Sequence, residues 1–184
     1  LAQSNSIFAT LVALMLIFLP IPGTGLASIG IALGAGLAMG ASALGPGIGA
    51  GMTAGGAVRG QSNWPASRPV TVRTMLIAQA ICGTPAIFGM LVAFMMLFIM
   101  QDLEPTIIGF AQVIAASIAV GIGGIGPGIG CGIVGETSCE AIAEKPMHDA
   151  LMLRTMLIGR SEEHTSELQH KPISYAVFCL KIKI

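Results

Sequence analysis

Three stretches of this chain, Leu26 to Val58, Met75 to Met100 and Thr106 to Gly135, contain no Asp, Glu, Lys or Arg. Each is longer than the roughly 20 residues an α-helix needs to cross the hydrocarbon core of a bilayer. A spanning strand needs only about 9–11 residues and alternates in polarity. These runs are apolar throughout, so the expected elements are membrane-crossing helices. Composition agrees, with 54% hydrophobic and 10% charged residues against roughly 45–50% and about 25% in soluble domains.

The formal net charge of +0 leaves no basic footprint for nucleic acid, and no nucleic-acid partner is expected. Cys82 and Cys131 fall inside apolar spans and no Cys-x-x-Cys pair occurs. The cysteines therefore read as small packing residues, not as a disulfide framework or a zinc site.

The chain repeats itself. Gly45-Pro46-Gly47-Ile48-Gly49 recurs as Gly126-Pro127-Gly128-Ile129-Gly130, and Arg73-Thr74-Met75-Leu76-Ile77 recurs as Arg154-Thr155-Met156-Leu157-Ile158, both at an offset of 81. The same offset lays Pro65 over Pro146 without a gap and makes 12 of the 34 positions from Gly45 to Ala78 identical. Residues 7–18 also match 87–98 at seven of twelve positions, at offset 80. Duplication explains this pattern better than chance.

The repeat sets the expected organisation: a partial second helix of a preceding hairpin over 1–19, a complete transmembrane hairpin over 26–100 turning near 60–69, and the first helix and start of the second helix of the next hairpin over 107–159. Residues 7–19 make a poor signal peptide, because no basic residue precedes them and Pro20-Ile21-Pro22-Gly23 is a poor cleavage site. Arg59, Arg68 and Arg73 flank the hairpin turn, whereas Asp102 and Glu104 lie between hairpins. By the positive-inside rule the turns are expected on the cytoplasmic side.

At Arg160 the register calls for more spanning helix, but the sequence becomes Ser161-Glu162-Glu163-His164-Thr165-Ser166-Glu167-Leu168-Gln169. A charged run of this kind cannot continue a membrane helix cheaply. It reads like the in-frame translation of a sequencing-adapter oligonucleotide, so residues 160–184 are expected to be a non-native tail and receive no functional role.

The glycines Gly45, Gly47 and Gly49 in one helix, and Gly126, Gly128 and Gly130 in another, are helix-packing candidates, because small residues let helices approach backbone to backbone. A phosphate-binding loop is excluded, since no Gly-Lys-Ser/Thr follows them.

Glycine-rich helices joined by a short polar loop with proline, repeated in tandem, resemble the proteolipid ring subunits of rotary F-type and V/A-type ATPases. The resemblance covers residues 1–159. It rests on the two Gly-Pro-Gly-Ile-Gly runs, on Pro65 and Pro146, and on Met75-Leu76-Ile77-Ala78-Gln79-Ala80-Ile81-Cys82. It implies an all-α fold of hairpins in a homo-oligomeric ring in membrane lipid, working against a stator membrane subunit and central stalk subunits. The chemistry it implies is reversible binding of a transported H+ or Na+, with no cofactor and no catalytic site in this chain.

In that family the second helix carries a mid-membrane carboxylate. The slot, four residues beyond Gln79, is held here by Gly83, and its counterpart in the partial first repeat is Gln3. Neither ionises. Thr84 offers a hydroxyl beside the slot, and Pro85 cannot donate to the carbonyl of Ile81, so Gln79, Gly83, Thr84, Ile81 and Gln3 are the candidate residues of degenerate ion sites. The competing reading of Thr84 and Pro85 is a helix kink with a back-bonded hydroxyl. Glu136 is expected near the headgroups. Alternatives to the ring reading are an ion-silent membrane scaffold and an unrelated glycine-rich channel.

Overall fold

A computed structural model describes residues 4–19, 25–100 and 107–169, with the backbone alone at Ser4, Leu26, Ala27 and 161–169. Gln3, Asp102, Glu104 and residues 170–184 lie outside the described residues. The chain is all-helical there: α1 (Ser4–Phe18), α2 (Leu26–Asn63), α3 (Arg68–Cys82), α4 (Thr84–Phe98), α5 (Ile107–Glu144) and α6 (Asp149–Gln169).

The long helices α2 and α5 have 38 residues each. At about 1.5 Å per residue each spans roughly 57 Å, well beyond the roughly 30 Å hydrocarbon core, so their ends protrude. Three helical segments, Ser28–Asn63, Pro65–Phe98 and Ile107–Glu144, are long and apolar enough to cross a membrane.

Both turns are built alike. Trp64 (φ −131°, ψ 78°) and Lys145 (φ −129°, ψ 69°) leave the helical region, because the ring of the proline that follows each disfavours it. A single 3-10 turn then follows, Pro65–Ser67 or Pro146–His148. The repeat is thus visible as backbone geometry.

α2 and α5 run parallel, each residue of α2 meeting α5 about eighty residues on. Gly30 faces Phe110, Gly34 faces Val113 and Ser117, Gly45 faces Gly124 and Ile125, Gly56 faces Glu136, and Gly60 faces Ala143. α4 packs against both helices, and α1 packs against α2 and α4. One buried cluster joins Val12 of α1, Ile31, Ala38 and Met39 of α2, Ala86, Val92, Met96 and Leu97 of α4, and Val113 and Val120 of α5.

α6 does not stop at the charged run but continues as helix to Gln169. Glu, Leu and Gln have good intrinsic helix propensity; the penalty on charge concerns burial in lipid, not helical backbone.

Candidate functional site

The slot position Gly83 falls at the break between α3 and α4. The break follows from Pro85, which has no N–H to give the Ile81 carbonyl and whose ring crowds that oxygen. Thr84 Oγ1 donates to Ile81 O at 2.8 Å, the hydrogen bond of a back-bonded kink, and leaves a second acceptor site on that carbonyl.

A Cβ built on Gly83 would lie 3.6 Å from the Ala80 carbonyl oxygen and 3.7 Å from Asn5 Oδ1. Both are ordinary contacts, so a side chain can start from this position. Asn5, on α1, is only 7% exposed, and its Oδ1 has no hydrogen-bond partner. The slot is therefore bounded by an unpaired acceptor from a different helix. Sequence reasoning missed Asn5, although a carboxamide at the head of the apolar run from Ile7 to Phe18 was the available signal.

Gln79 and its counterpart at offset 81, Arg160, occupy matching places. Gln79 Nε2 donates to Ala50 O at 3.2 Å. Arg160 Nη2 donates to Cys131 O, the counterpart of Ala50, and Nη1 donates to Ala78 O. Arg160 is 1% exposed and its Nε is unpartnered. The first residue of the stretch read as a non-native tail thus sits inside the helix assembly.

The packing glycines divide by face. A Cβ on Gly45 would come 2.6 Å from Ile125 O, one on Gly49 would press on Gly128 O and lie 3.3 Å from Gly132 Cα, and one on Gly128 would lie 2.6 Å from Pro46 Cδ. Gly47, Gly51 and Gly126 have nothing within 4 Å of that point. Gly130 is half-buried.

At the turn end, Arg59 donates to Glu136 through Nη2 and to Glu140 through Nε at 2.6 Å, and Arg73 donates to Asp149 at 2.7 Å. Among the described side chains, the carboxylates Glu136, Glu140, Glu144 and Asp149 all lie toward this end of the helices. Among the described residues no three His, Cys, Asp or Glu side chains converge as a metal cluster would require.

Two segments of the chain, residues 33–96 and 114–160, match the sequence pattern of the ATP synthase C-subunit family. An ATP synthase c-subunit of Cereibacter sphaeroides is 31% identical over 82 residues, 45% of this chain and 88% of that protein. The chloroplastic ATP synthase c-subunit of Galdieria sulphuraria is 43% identical over 54 residues, 29% of this chain and 65% of that protein. The ATP synthase c-subunit of Alkaliphilus oremlandii is 41% identical over 56 residues, 30% of this chain and 62% of that protein.

Proposed function

Starting from the fact that this chain belongs to the ATP synthase C-subunit family, we propose that it is an ion-translocating ring protein of a rotary ATP synthase or ATPase in which the hairpin over 26–100 has lost its ion-binding carboxylate. The ring works against a stator membrane subunit and central stalk subunits, and carries H+ or Na+.

The observation that carries this reading is how the two long helices use their faces. α2 meets α5 with the face bearing Gly45 and Gly49, and α5 answers with the face bearing Gly128 and Gly132. Shifted by the repeat, those faces are Gly126 and Gly130 on α5, and Gly47 and Gly51 on α2. Gly126, Gly47 and Gly51 are among the glycines with nothing within 4 Å of an added Cβ, and Gly130 is half-buried. Each helix thus uses one face inside the chain and leaves open the face the other helix used. Such a head-to-tail interface propagates, and closes into a ring when its rotation allows.

The silence proposed for this hairpin is supported by Gly83, which cannot ionise, and by Thr84 Oγ1 being engaged with Ile81 O. Each elementary charge crossing 100 mV is worth about 2.3 kcal/mol. A ring with fewer ion sites delivers less free energy per turn, and so favours pumping by ATP hydrolysis over synthesis. Gln79, which donates to Ala50, and Gln3 remain as polar positions of degenerate slots.

The hairpin turns face the cytoplasm in this reading, because Arg59, Arg68, Arg73 and Lys145 cluster there and basic residues govern orientation while acidic ones count little. Residues 1–19, 26–100 and 107–159 are successive parts of three hairpins, with a tail from 160 that is not part of the repeat. The scaffold alternative draws on the same satisfied kink at Thr84.

Native mass analysis of the protein extracted from membranes, together with co-purification of nucleotide-hydrolysing subunits, tests the proposal. A closed oligomer that carries those subunits is expected. A monomer without them contradicts it.

A further inference from the structure

Gly83 stands at the head of a stripe that runs along α4. Its backbone stays in the helical region (φ −76°, ψ −12°), so helical spacing carries across the break. Ile87, Leu91, Phe94 and Phe98 follow it at steps of three and four residues, which puts their side chains on one face. With Met90 they line an apolar groove of about 310 Å³, within the roughly 300–1,000 Å³ of small-molecule sites. Phe94 and Phe98 meet edge to face with ring centroids 6.3 Å apart, an aromatic pair in the groove wall.

Neighbouring outer helices leave this stripe open. Its counterparts on α1, at offset 80, are Ile7, Leu11, Leu14 and Phe18. They stay between 40% and 77% exposed although α1 packs against α4. On α4, which has α1 as its neighbour, Ile87, Leu91 and Phe98 are exposed as well. Neither side of the α1–α4 contact uses the stripe, and in the ring reading it faces lipid.

The groove is apolar along its walls and polar at its head. No Asp, Glu, Lys or Arg lies from Met75 to Met100, so a charged occupant would meet hydrocarbon without a counter-charge from this run. At Gly83 the point a Cβ would occupy is 3.7 Å from Asn5 Oδ1. That oxygen belongs to a buried side chain and has no hydrogen-bond partner, and the Ile81 carbonyl in the kink keeps a second acceptor site. Both oxygens accept, so what the head of the groove lacks is a donor.

We propose that the Gly83 slot and the α4 groove form one site for a membrane-dissolved lipid alcohol, an uncharged molecule with its apolar chain in the groove and its hydroxyl donating to Asn5 Oδ1. The stripe from Gly83 to Phe98 runs roughly 22 Å at about 1.5 Å per residue, the reach of one extended hydrocarbon chain. A hydroxyl at this depth has no water to bond, and Asn5 Oδ1 has no partner without it, so each satisfies the other. Gly83 opens the site, because a larger side chain would take the place of the hydroxyl. The proposal rests on the ring reading for the lipid-facing stripe, and adds that the hairpin without an acid keeps a site of a different kind.

Photoactivatable hexadecanol and its methyl ether, each with a diazirine midway along the chain, test this on the whole protein in membranes, with adducts mapped by mass. The ether accepts a hydrogen bond but cannot donate one. The alcohol is expected to label Met90 and Phe94 about fivefold more than the ether, the ratio one net hydrogen bond supports. Asn5→Leu is expected to bring the alcohol to within about twofold of the ether and to leave ether labelling as it was.

Equal labelling by alcohol and ether in the natural protein overturns the site and leaves the ring standing, with the groove an ordinary lipid contact. A preference for the alcohol that survives Asn5→Leu overturns it too. Absence of labelling at Met90 and Phe94 by either probe means that protein covers the stripe, which overturns its lipid-facing place in the ring and the site together.

Discussion

The α2–α3 pair and the α5–α6 pair present the same hydrogen bond made by different chemistry. In the first, the neutral amide of Gln79 donates to the carbonyl of Ala50. In the second, the Arg160 guanidinium donates to the carbonyl of Cys131, and its Nε finds no partner. The backbone seam tolerates the exchange because it is set elsewhere, by glycines that bring α2 and α5 into contact. What the exchange alters is the charge at that position. The seam is therefore set by Gly45, Gly49, Gly128 and Gly132 and not by what stands at positions 79 and 160.

The largest predicted effect separates the two faces of one helix. Gly49→Leu drives a side chain into the Gly128 carbonyl and should destabilise the helix pair by more than about 3 kcal/mol. Gly47→Leu, on the open face, should leave the chain's own unfolding within about 0.5 kcal/mol yet abolish the oligomer. Unfolding titrations in mixed micelles combined with native mass analysis read both. Equal destabilisation by the two changes would break the two-face account.

Next comes the unlike pair itself. Arg160→Gln removes an incompletely paired buried cation and restores the donor seen at Gln79, so it should stabilise the fold by about 2 kcal/mol in the same titrations. A loss of stability would mean that the cation is compensated. A smaller effect is expected at the slot, where Asn5→Leu replaces an unpaired buried carbonyl by an apolar group of similar size and should be neutral or stabilising by about 1 kcal/mol. Smallest is Arg73→Ala at the exposed ion pair with Asp149, worth about 0.5 kcal/mol and fading with added salt.

Much of the fold is legible in the sequence because its causes are local. Charge-free runs mark the spans, and the prolines at 65 and 146 mark both turns to within a few residues, since a residue before proline avoids helical backbone. The register of α2 on α5 follows from the offset of 81, which reappears as spatial contact. Other features are not legible. Which glycines face inward depends on the rotation of each helix, and Gly45 and Gly47 are chemically identical in sequence. Thr84 closing on Ile81 depends on a rotamer, so the residues alone allow both a ligand and a kink. The meeting of Asn5 with Gly83 is a contact between distant segments that no local pattern encodes. Composition groups Arg160 with the charged tail, whereas its buried place follows from the repeat position it happens to hold.

Gly83→Glu, followed by dicyclohexylcarbodiimide labelling of the membrane-embedded protein and mass mapping of the adduct, tests whether Gly83 occupies an ion slot emptied of its acid. The new carboxyl should label much faster than Glu136 or Glu140, which lie in ion pairs at the turn end, and the transported ion should protect it. A Gly83→Glu protein that assembles but labels at that position no faster than at Glu136 would contradict the account.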